Sequence, residues 1–271
     1  MRNLFDLKDQ IAIVTGGLGQ LGRQFTLSLL DHGARVVVLD RSNDAALVSQ
    51  RFGPQAEDNR LMFLAGDVTD RTSLENALSQ IENAWGAPSI LINNAGLDSP
   101  PNAPASENGP FESFPEASWR AVLDVNLTGV FLCCQVFGGT MARAGRGSVI
   151  NISSIYGLVS PDQRLYEYRQ TAGAPFFKPV SYSVSKSGLL NLTRYLATYW
   201  APSGVRVNTL SLGGVFNGQD ETFLQNYCHK VPLGRMANES DYNGAVIFLA
   251  SDASAYMTGS NLIIDGGWTA W

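Results

Sequence analysis

The chain has 271 residues, of which 45% are hydrophobic, and its net charge is −5. This length and apolar content suffice for the core of one α/β domain spanning residues 1–271. The acidic balance, with no run of Lys or Arg, excludes a nucleic-acid-binding surface. The apolar runs are too short to cross a membrane, and charges recur too often in the first ten residues for a signal peptide.

The cysteines and histidines predict neither disulfides nor a metal site. Cys133 and Cys134 are neighbours on a predicted buried helix, and Cys228 stands apart. An odd number of cysteines in this arrangement is typical of a protein of the reducing cytoplasm. His32 and His229 have no cluster of Cys or acidic residues at metal-ligand spacing.

Apolar segments of strand length alternate with amphipathic helical segments along the chain. The predicted strands are 11–15, 35–39, 61–65, 89–92, 148–152, 205–210 and 262–264, and the predicted helices are 20–31, 69–85, 117–144, 181–200 and 241–250. This alternation predicts an α/β fold, a doubly wound parallel sheet of about seven strands with helices on both faces. Two segments interrupt the pattern, 98–115 and 160–179, and we expect them to form loops over the carboxyl edge of the sheet, where ligands bind.

A glycine-rich turn joins the first strand to the first helix. Its glycines stand at Gly16, Gly19 and Gly22. Glycines there let the backbone approach a pyrophosphate, and the helix N-terminus supplies N–H donors and a positive dipole. We therefore predict that Gly16, Gly19, Gln20 and Leu21 bind a dinucleotide; the alternative is an ordinary turn between a strand and a helix.

Acidic residues follow the next two strands. Asp40 lies 18 residues beyond Gly22, close to the spacing of about 20 expected for the acid that binds the adenosine ribose hydroxyls. A carboxylate repels a 2′-phosphate, so Asp40 favours NAD over NADP, although Arg41 could bind such a phosphate. Asp67 and Val68 follow the third strand and are predicted to lie at the adenine; Asp67 could equally cap a turn or helix.

Two further motifs stand near the middle of the chain. Asn93, Ala95 and Gly96 belong to an Asn-Asn-Ala-Gly sequence that ends the fourth strand, where we expect them to tie strands together and to line the cofactor cleft. Tyr182 and Lys186 are four residues apart on a predicted helix and so share one face. A cation beside a phenol favours the phenolate and lowers its pKa, which makes the tyrosine a usable acid or base.

In combination, these motifs resemble the short-chain dehydrogenase/reductase family, in its compact single-domain branch, over almost the whole chain. The resemblance implies an NAD(P)-dependent enzyme that transfers a hydride between nicotinamide and a secondary alcohol or ketone. It also implies that Tyr182 exchanges a proton with the substrate, Lys186 lowers its pKa and holds the nicotinamide ribose, Ser154 positions the reacting oxygen, and Asn126 anchors a water that relays protons. A sugar, sugar acid or nucleotide sugar is the expected substrate. The sequences Ser160-Pro161-Asp162 and Val215-Phe216-Asn217-Gly218 also resemble, more weakly, oxidoreductases of bacterial flagellin-modification and sugar-biosynthesis clusters.

The chain departs from the family pattern at three places. Gln20 replaces the middle glycine of the cofactor loop, and Leu212 replaces a proline after the sixth strand, where Gly213 and Val215 are still expected at the nicotinamide.

The third departure is the 28-residue separation of Ser154 and Tyr182, about twice the usual one. In this insert Arg164, Tyr168 and Arg169 suit an anionic or sugar-like substrate, and the alternative is a surface flap or subunit contact.

Two other functions remain open at this stage. One is a nucleotide-sugar epimerase or dehydratase that recycles its NAD, and the other is a non-catalytic dinucleotide-binding regulator. The resemblance also implies a homodimer or homotetramer that pairs through the helices 117–144 and 181–200. We expect Trp268 and Trp271 to be buried by a partner subunit or over the active site.

Overall fold

The computed structural model describes residues 3–98, 105–170 and 175–271. Seven parallel strands form one sheet in the order β3-β2-β1-β4-β5-β6-β7. The strands are β1 (Ile11–Thr15), β2 (Arg35–Asp40), β3 (Leu61–Ala65), β4 (Ile90–Asn93), β5 (Gly147–Ser154), β6 (Val205–Leu212) and β7 (Asn261–Ile264). The predicted doubly wound parallel sheet is confirmed. Of the two predicted loops, residues 99–104 and 171–174 lie outside the described part.

Helices cover both faces of this sheet. They are α1 (Gln20–Asp31), α2 (Ala45–Phe52), α3 (Arg71–Ala84), α4 (Glu116–Arg143), α5 (Val180–Trp200), α6 (Glu221–His229) and α7 (Asn243–Ala250). Two π-helical segments, Asp124–Thr128 and Cys134–Gly138, interrupt α4.

Two short helices were not predicted, and each begins at an aspartate that caps it. The carboxylate of Asp44 accepts hydrogen bonds from the first turn of α2, and that of Asp220 accepts one from the backbone N–H of Phe223 in α6. These caps were the available sequence signal, but eight or nine residues give too few turns for a clear helical period.

The central strands are longer than predicted at their carboxyl ends. β5 and β6 each continue two residues further, because Ser153 and Ser154 pair with Ser211 and Leu212 in parallel register. β4 ends at Asn93, one residue later than predicted. The consequence is that Ser154 is held by the sheet itself, rather than by a loop.

The core has two main layers and one smaller apolar cluster. One layer packs α1 and α7 against one face of the sheet, and the other packs α3, α4 and α5 against the opposite face. The smaller cluster lies beyond the carboxyl ends of β5 and β6, and we call it the aromatic roof. It comprises Ile155, Tyr156, Leu165, Tyr166, Phe223, Tyr227, Val231, Met236 and Trp268.

Helix α4 corrects one sequence prediction. Contrary to the expectation that no segment is long and apolar enough to span a membrane, its 28 residues pass that test of length and composition. Half of its most apolar window is buried inside the fold, where it packs on the sheet and on α5. Core helices of globular proteins meet the same criterion, so the test is weak support for a membrane span.

Close packing of α4 on α5 gives a test of this fold. A Cβ added at Gly138 would lie 2.5 Å from Cη2 of Trp200, whereas one at Gly139 would meet nothing nearer than Arg143 at 3.7 Å. We expect Gly138→Ala to lower the free energy of unfolding by about 1–3 kcal/mol through overpacking. The control, Gly139→Ala, should raise it by about 0.5–1 kcal/mol through helix propensity. Urea unfolding measures both, and equal effects would contradict this packing.

Candidate active site

A long cleft runs along the carboxyl edge of the sheet, where the strand order reverses between β1 and β4. It consists of two adjoining cavities of about 640 and 530 Å³. The first lies over β1, β2 and β3, and the second over β4, β5 and β6. The two share the residues Gln20, Leu21, Asn94, Gly96 and Leu97. Such a crevice is where open α/β sheets bind their ligands.

The ends of β1 and β4 are joined by a small hydrogen-bond network at the middle of this cleft. The side-chain amide of Asn94 donates to the carbonyls of Thr15 (3.0 Å) and Gly16 (3.1 Å). The Thr15 hydroxyl accepts in return from the backbone N–H groups of Asn94 and Ala95, each at 3.0 Å. The backbones come so close that a Cβ on Gly16 would lie 2.9 Å from Cα of Ala95.

The glycine-rich turn lines the first cavity in a conformation that only glycine permits at two positions. Gly16 has a φ of +62°, and a Cβ on Gly22 would lie 2.2 Å from the Gly16 carbonyl oxygen. The turn therefore presents backbone without side chains at the N-terminus of α1, as a pyrophosphate site requires. These residues fit a dinucleotide: a bare backbone cradle, a helix N-terminus and a cleft running to both sides.

Asp40 holds this turn in place. Its carboxylate accepts hydrogen bonds from the backbone N–H of Leu18 (3.0 Å) and of Arg41 (2.8 Å). Asp40 and Arg41 both line the first cavity, so the acid and the adjacent base face the same space.

The substitution of glycine by Gln20 has a structural role. Its side-chain amide donates to the carbonyl of Phe216 at 2.9 Å and so ties the start of α1 to the loop after β6. Gly213 and Val215 of that loop line the second cavity, and Val215 forms an isolated bridge with Ala237. Gln20 thus contacts the loop that follows Leu212, the second position at which the chain departs from the family pattern.

Some of the residues predicted at the adenine and at the end of the fourth strand line the cleft, and others are buried in the core. Asp67 and Val68 line the first cavity, and the Asp67 carboxylate accepts from the backbone and hydroxyl of Thr69, which is the turn role predicted as an alternative. Asn93 is buried and donates to Asn151 at 2.8 Å, tying β4 to β5. Its neighbour Asn94, the second amide of the motif, lines the cleft together with Ala95 and Gly96.

Ser154, Tyr182 and Lys186 come together in the second cavity. Ser154 ends β5, and its hydroxyl accepts from the backbone N–H of Tyr156 at 3.1 Å. Tyr182 and Lys186 lie on the first turns of α5 and line the same cavity. The Lys186 ammonium is buried and donates to the Ile152 carbonyl at 2.9 Å.

Asn126 is buried beside this group, in the first π-helical segment of α4. Its amide donates to the Leu97 carbonyl (2.8 Å) and the Ser185 hydroxyl (3.0 Å), and its oxygen accepts from the Leu97 N–H (2.7 Å). A Cβ on Gly96 would lie 3.4 Å from both the Asn126 oxygen and the Lys186 nitrogen. Asn126 therefore fixes the loop after β4 against α5, and π-helical turns of this kind are frequent at functional sites.

The charges of this group differ from the prediction. Burial of the Tyr182 phenol, assisted by the Asp98 carboxylate and opposed by a hydrogen bond with Ser154, raises its pKa to about 12. Burial lowers the pKa of Lys186 to about 8, with Asp98 acting in the opposite direction. Lys186 was expected to lower the pKa of Tyr182. In this structure burial of the phenol, which acts in the opposite direction, is the largest effect on that pKa, while the Lys186 ammonium donates to the Ile152 carbonyl and lies 5.8 Å from the ring centroid.

The aromatic roof closes the cleft above Tyr182. The Tyr227 hydroxyl accepts from the backbone N–H of Gly214 at 2.6 Å, and its ring stacks on Trp268 with centroids 4.5 Å apart. Trp268 is thus buried next to the cleft within the chain itself. Trp271 is 83% exposed.

The insert contributes one of its three predicted substrate residues to the cleft. Arg169 lines the second cavity and is held by Asp220 at 2.9 Å. Arg164 points away, in a two-pronged ion pair with Asp162, and the Tyr168 hydroxyl donates to Asp220 at 2.6 Å at the surface. The expectation of a direct substrate contact therefore fits Arg169 and does not fit Arg164 or Tyr168.

Two charged residues of the cleft were not predicted. Asp98 and Lys178 both line the second cavity and form an ion pair with each other. Asp98 stands two residues after the Asn-Asn-Ala-Gly motif, and Lys178 stands four residues before Tyr182, so their positions relative to known motifs were the available sequence signal. Among the residues that the structure describes, no three His, Cys, Asp or Glu side chains lie together as metal ligands would.

Comparison with known proteins agrees with this geometry. Residues 19–269 match the family model described as enoyl-(acyl carrier protein) reductase. The chain is 32% identical over 277 residues to galactitol 2-dehydrogenase of Rhizobium johnstonii, covering 98% of each chain.

Several solved structures are also similar to this chain. A short-chain dehydrogenase of Leptospira borgpetersenii with bound NAD+ has a TM-score of 0.85 and 37% identity, over 99% of this chain and 96% of that one. A gluconate 5-dehydrogenase of Burkholderia cenocepacia in complex with NADP and tartrate has a TM-score of 0.84 and 28% identity, over 99% and 98%. The chain therefore belongs to the short-chain dehydrogenase/reductase family and is an NAD(P)-dependent oxidoreductase that acts on CH–OH groups.

Proposed function

We propose that this enzyme, as one domain, interconverts a secondary alcohol and a ketone on a sugar alcohol or sugar acid. The observation that carries the proposal is the arrangement of Ser154, Tyr182 and Lys186 at one end of a cleft whose other end is the glycine-rich turn. The names of the relatives, galactitol 2-dehydrogenase and gluconate 5-dehydrogenase, support the substrate class.

The residues of the second cavity have separate roles in catalysis. When bound, the nicotinamide ring supplies the acceptor or donor of the hydride. Ser154 hydrogen-bonds the reacting oxygen and fixes its position, and Tyr182 takes the hydroxyl proton in oxidation or returns it in reduction. Lys186 binds the nicotinamide ribose with its ammonium, and Asn126 positions the loop around it. Because its pKa is about 12, Tyr182 is protonated at neutral pH, so we expect alcohol oxidation to become faster as the pH rises.

We propose NAD as the preferred cofactor. The Asp40 carboxylate lines the first cavity and is bound only by backbone N–H groups among the described contacts, so its charge would repel a 2′-phosphate. Arg41 beside it provides the opposing attraction. Gly16, Gly19, Gln20 and Leu21 would bind the pyrophosphate, and Asp67 and Val68 the adenine.

The substrate end of the cleft suits a molecule with several oxygens. Tyr156, Tyr166, Asn217 and Gln219 line it together with the guanidinium of Arg169, which Asp220 orients. A planar guanidinium at the mouth can bind a carboxylate in a bidentate manner.

We further propose that the enzyme is a homodimer or homotetramer of the cytoplasm. Tyr195 and Tyr199 stack on each other on α5 with about two-thirds of each side chain exposed, and Phe131 is exposed on α4. Exposed aromatic groups on these two helices are typical of a subunit interface. The three cysteines of the chain are free thiols, as is usual in a reducing compartment, which supports the cytoplasm.

Removal of the Tyr182 hydroxyl tests the reaction. We expect Tyr182→Phe to lower kcat/KM by about 10²–10⁴-fold on any sugar alcohol or sugar acid that the enzyme turns over, because the proton acceptor is lost. Tyr256→Phe, at a fully exposed tyrosine that lines neither cavity, is the matched control and should be unchanged. Absorbance of the reduced nicotinamide measures turnover, and fluorescence quenching measures cofactor binding. Undiminished turnover in Tyr182→Phe would contradict the assignment.

Cofactor preference is tested by Asp40→Asn. The amide oxygen can still accept from Leu18 N–H and keep the turn in place, while the charge that repels a 2′-phosphate is gone. We expect NADP+ to bind about tenfold more tightly than to the wild type, equivalent to ~1.4 kcal/mol. Arg41→Ala should have the opposite effect on NADP+. Titrations with NAD+ and NADP+ that leave the ratio unchanged in both variants would contradict the role of this pair.

Burial of Lys186 should reduce stability. The pKa of Lys186 falls from 10.5 in the unfolded chain to about 8 in the folded chain. Below pH 8 the lysine is protonated in both states, so its burial as a charged group lowers the free energy of unfolding. We expect Lys186→Met to be inactive yet more stable than the wild type at pH 7, by about 1–3 kcal/mol. This advantage should shrink between pH 8 and 10, because the wild-type lysine becomes neutral. Urea unfolding at pH 7 and 9.5 measures the free energy of unfolding of both proteins. A variant less stable than the wild type at pH 7 would refute the prediction.

A further inference from the structure

The insert between β5 and α5 places a second lysine against Tyr182. The Lys178 nitrogen lies 5.3 Å from the centroid of the Tyr182 ring, closer than the 5.8 Å of Lys186. At such distances a cation over the face of an aromatic ring is attracted by it. Tyr182 thus has two ammonium groups within 6 Å of its ring centroid, one from α5 itself and one from the insert.

Lys178 is held in this position from two sides. Its backbone N–H donates to the side chain of Gln163 at 2.8 Å, within the same insert. Its ammonium pairs with the carboxylate of Asp98, and its side chain is largely buried, with 15% exposed. The ion pair therefore links the segment that precedes α5 to the segment that follows β4.

Asp98, whose side chain is 56% exposed, is positioned through the backbone of the residue before it. Asn126 binds both the N–H and the carbonyl of the preceding residue, Leu97, and Asn126 is itself bound to Ser185 on α5. The Asp98 carboxylate consequently stands in the same cavity as Tyr182 and Lys186.

An unpaired carboxylate at this place would act on both catalytic groups. Asp98 raises the pKa of Tyr182 and opposes the lowering of the pKa of Lys186 by burial. Both effects disfavour the loss of a proton. The other titratable or charged groups that line this cavity or act on the pair are Tyr156, Tyr166, Arg169, Lys178 and Tyr227. Of these, Lys178 is the one bound to Asp98.

We propose that Lys178 is a positioning residue of the active site, which neutralises Asp98 through their ion pair and so sets the charge around Tyr182 and Lys186. The role of Tyr182 as acid and base rests on the proposed function, whereas the charge balance between Asp98 and Lys178 does not. The insert is therefore part of the catalytic apparatus as well as a wall of the substrate cleft.

The four lysines of the chain make this proposal measurable without a substrate. They are Lys8, Lys178, Lys186 and Lys230, so [¹³Cε]lysine labelling gives four NMR signals, and the variants assign them. The Lys186 signal reports its own titration, which should be centred near pH 8 in the wild type. We compare Lys178→Met, Asp98→Asn, the double variant and the charge-conserving Lys178→Arg.

Opposite shifts are expected for the two single variants. Lys178→Met leaves the Asp98 charge uncompensated and should move the Lys186 midpoint up by about 0.5–1 pH unit, while Asp98→Asn leaves the Lys178 charge and should move it down by a similar amount. The double variant and Lys178→Arg should return close to the wild type. With a substrate in hand, the pH profile of kcat/KM for oxidation should shift in the same order.

Lys230→Met is the matched control, because Lys230 forms its ion pair with Asp162 outside this cavity. It should leave the Lys186 midpoint in place. Unshifted midpoints in both single variants, or equal shifts in the control, would overturn the proposal. If Lys178→Met does not fold, the comparison of Lys178→Arg with Asp98→Asn still decides it. Shifted midpoints without turnover on any substrate would instead refute the proposed function alone.

Discussion

The cleft depends on the junction at which the ends of β1 and β4 are held together. The strands are neighbours in the sheet, but the chain leaves them toward opposite edges, and this reversal opens a crevice at their carboxyl ends. Asn94 and Thr15 close the gap between the two backbones with mutual hydrogen bonds. The glycine-rich turn begins on one side of this junction and the loop that carries Asp98 on the other, so both cavities take their positions from it.

The buried polar groups around the second cavity form one connected arrangement. Asn126 fixes the loop after β4, Lys186 is bound to the end of β5, and Ser154 is held by its pairing with β6. Each group is positioned by the sheet or by a helix packed on it, which keeps the reacting oxygen, the phenol and the ammonium in a fixed relation. The electrostatic balance is local: burial acts against the charged forms of Tyr182 and Lys186, and the nearby ion pair of Asp98 and Lys178 modulates both.

Most of the fold could be predicted from sequence, because its strands are apolar runs and its helices are long and periodic. The family resemblance likewise found Ser154, Tyr182 and Lys186, since local spacing carries them. The sequence could not predict the tertiary contacts of individual side chains. Asn94 rather than Asn93 faces the cleft because β4 extends one residue further, and Arg164 turns outward because Asp162 lies within reach. The direction of the Tyr182 pKa follows from burial of the phenol, which the spacing of residues does not reveal.

The central claim is that the two cavities form one dinucleotide site that ends at Tyr182. A crystal structure of the enzyme grown with NAD+ tests it most directly. We expect the adenosine beside Asp40, the pyrophosphate on the turn from Gly16 to Gly22, and the nicotinamide ring within about 3–4 Å of a substrate oxygen site next to Ser154 and Tyr182. A dinucleotide bound elsewhere, or one confined to the first cavity with its nicotinamide away from Lys186, would contradict the account.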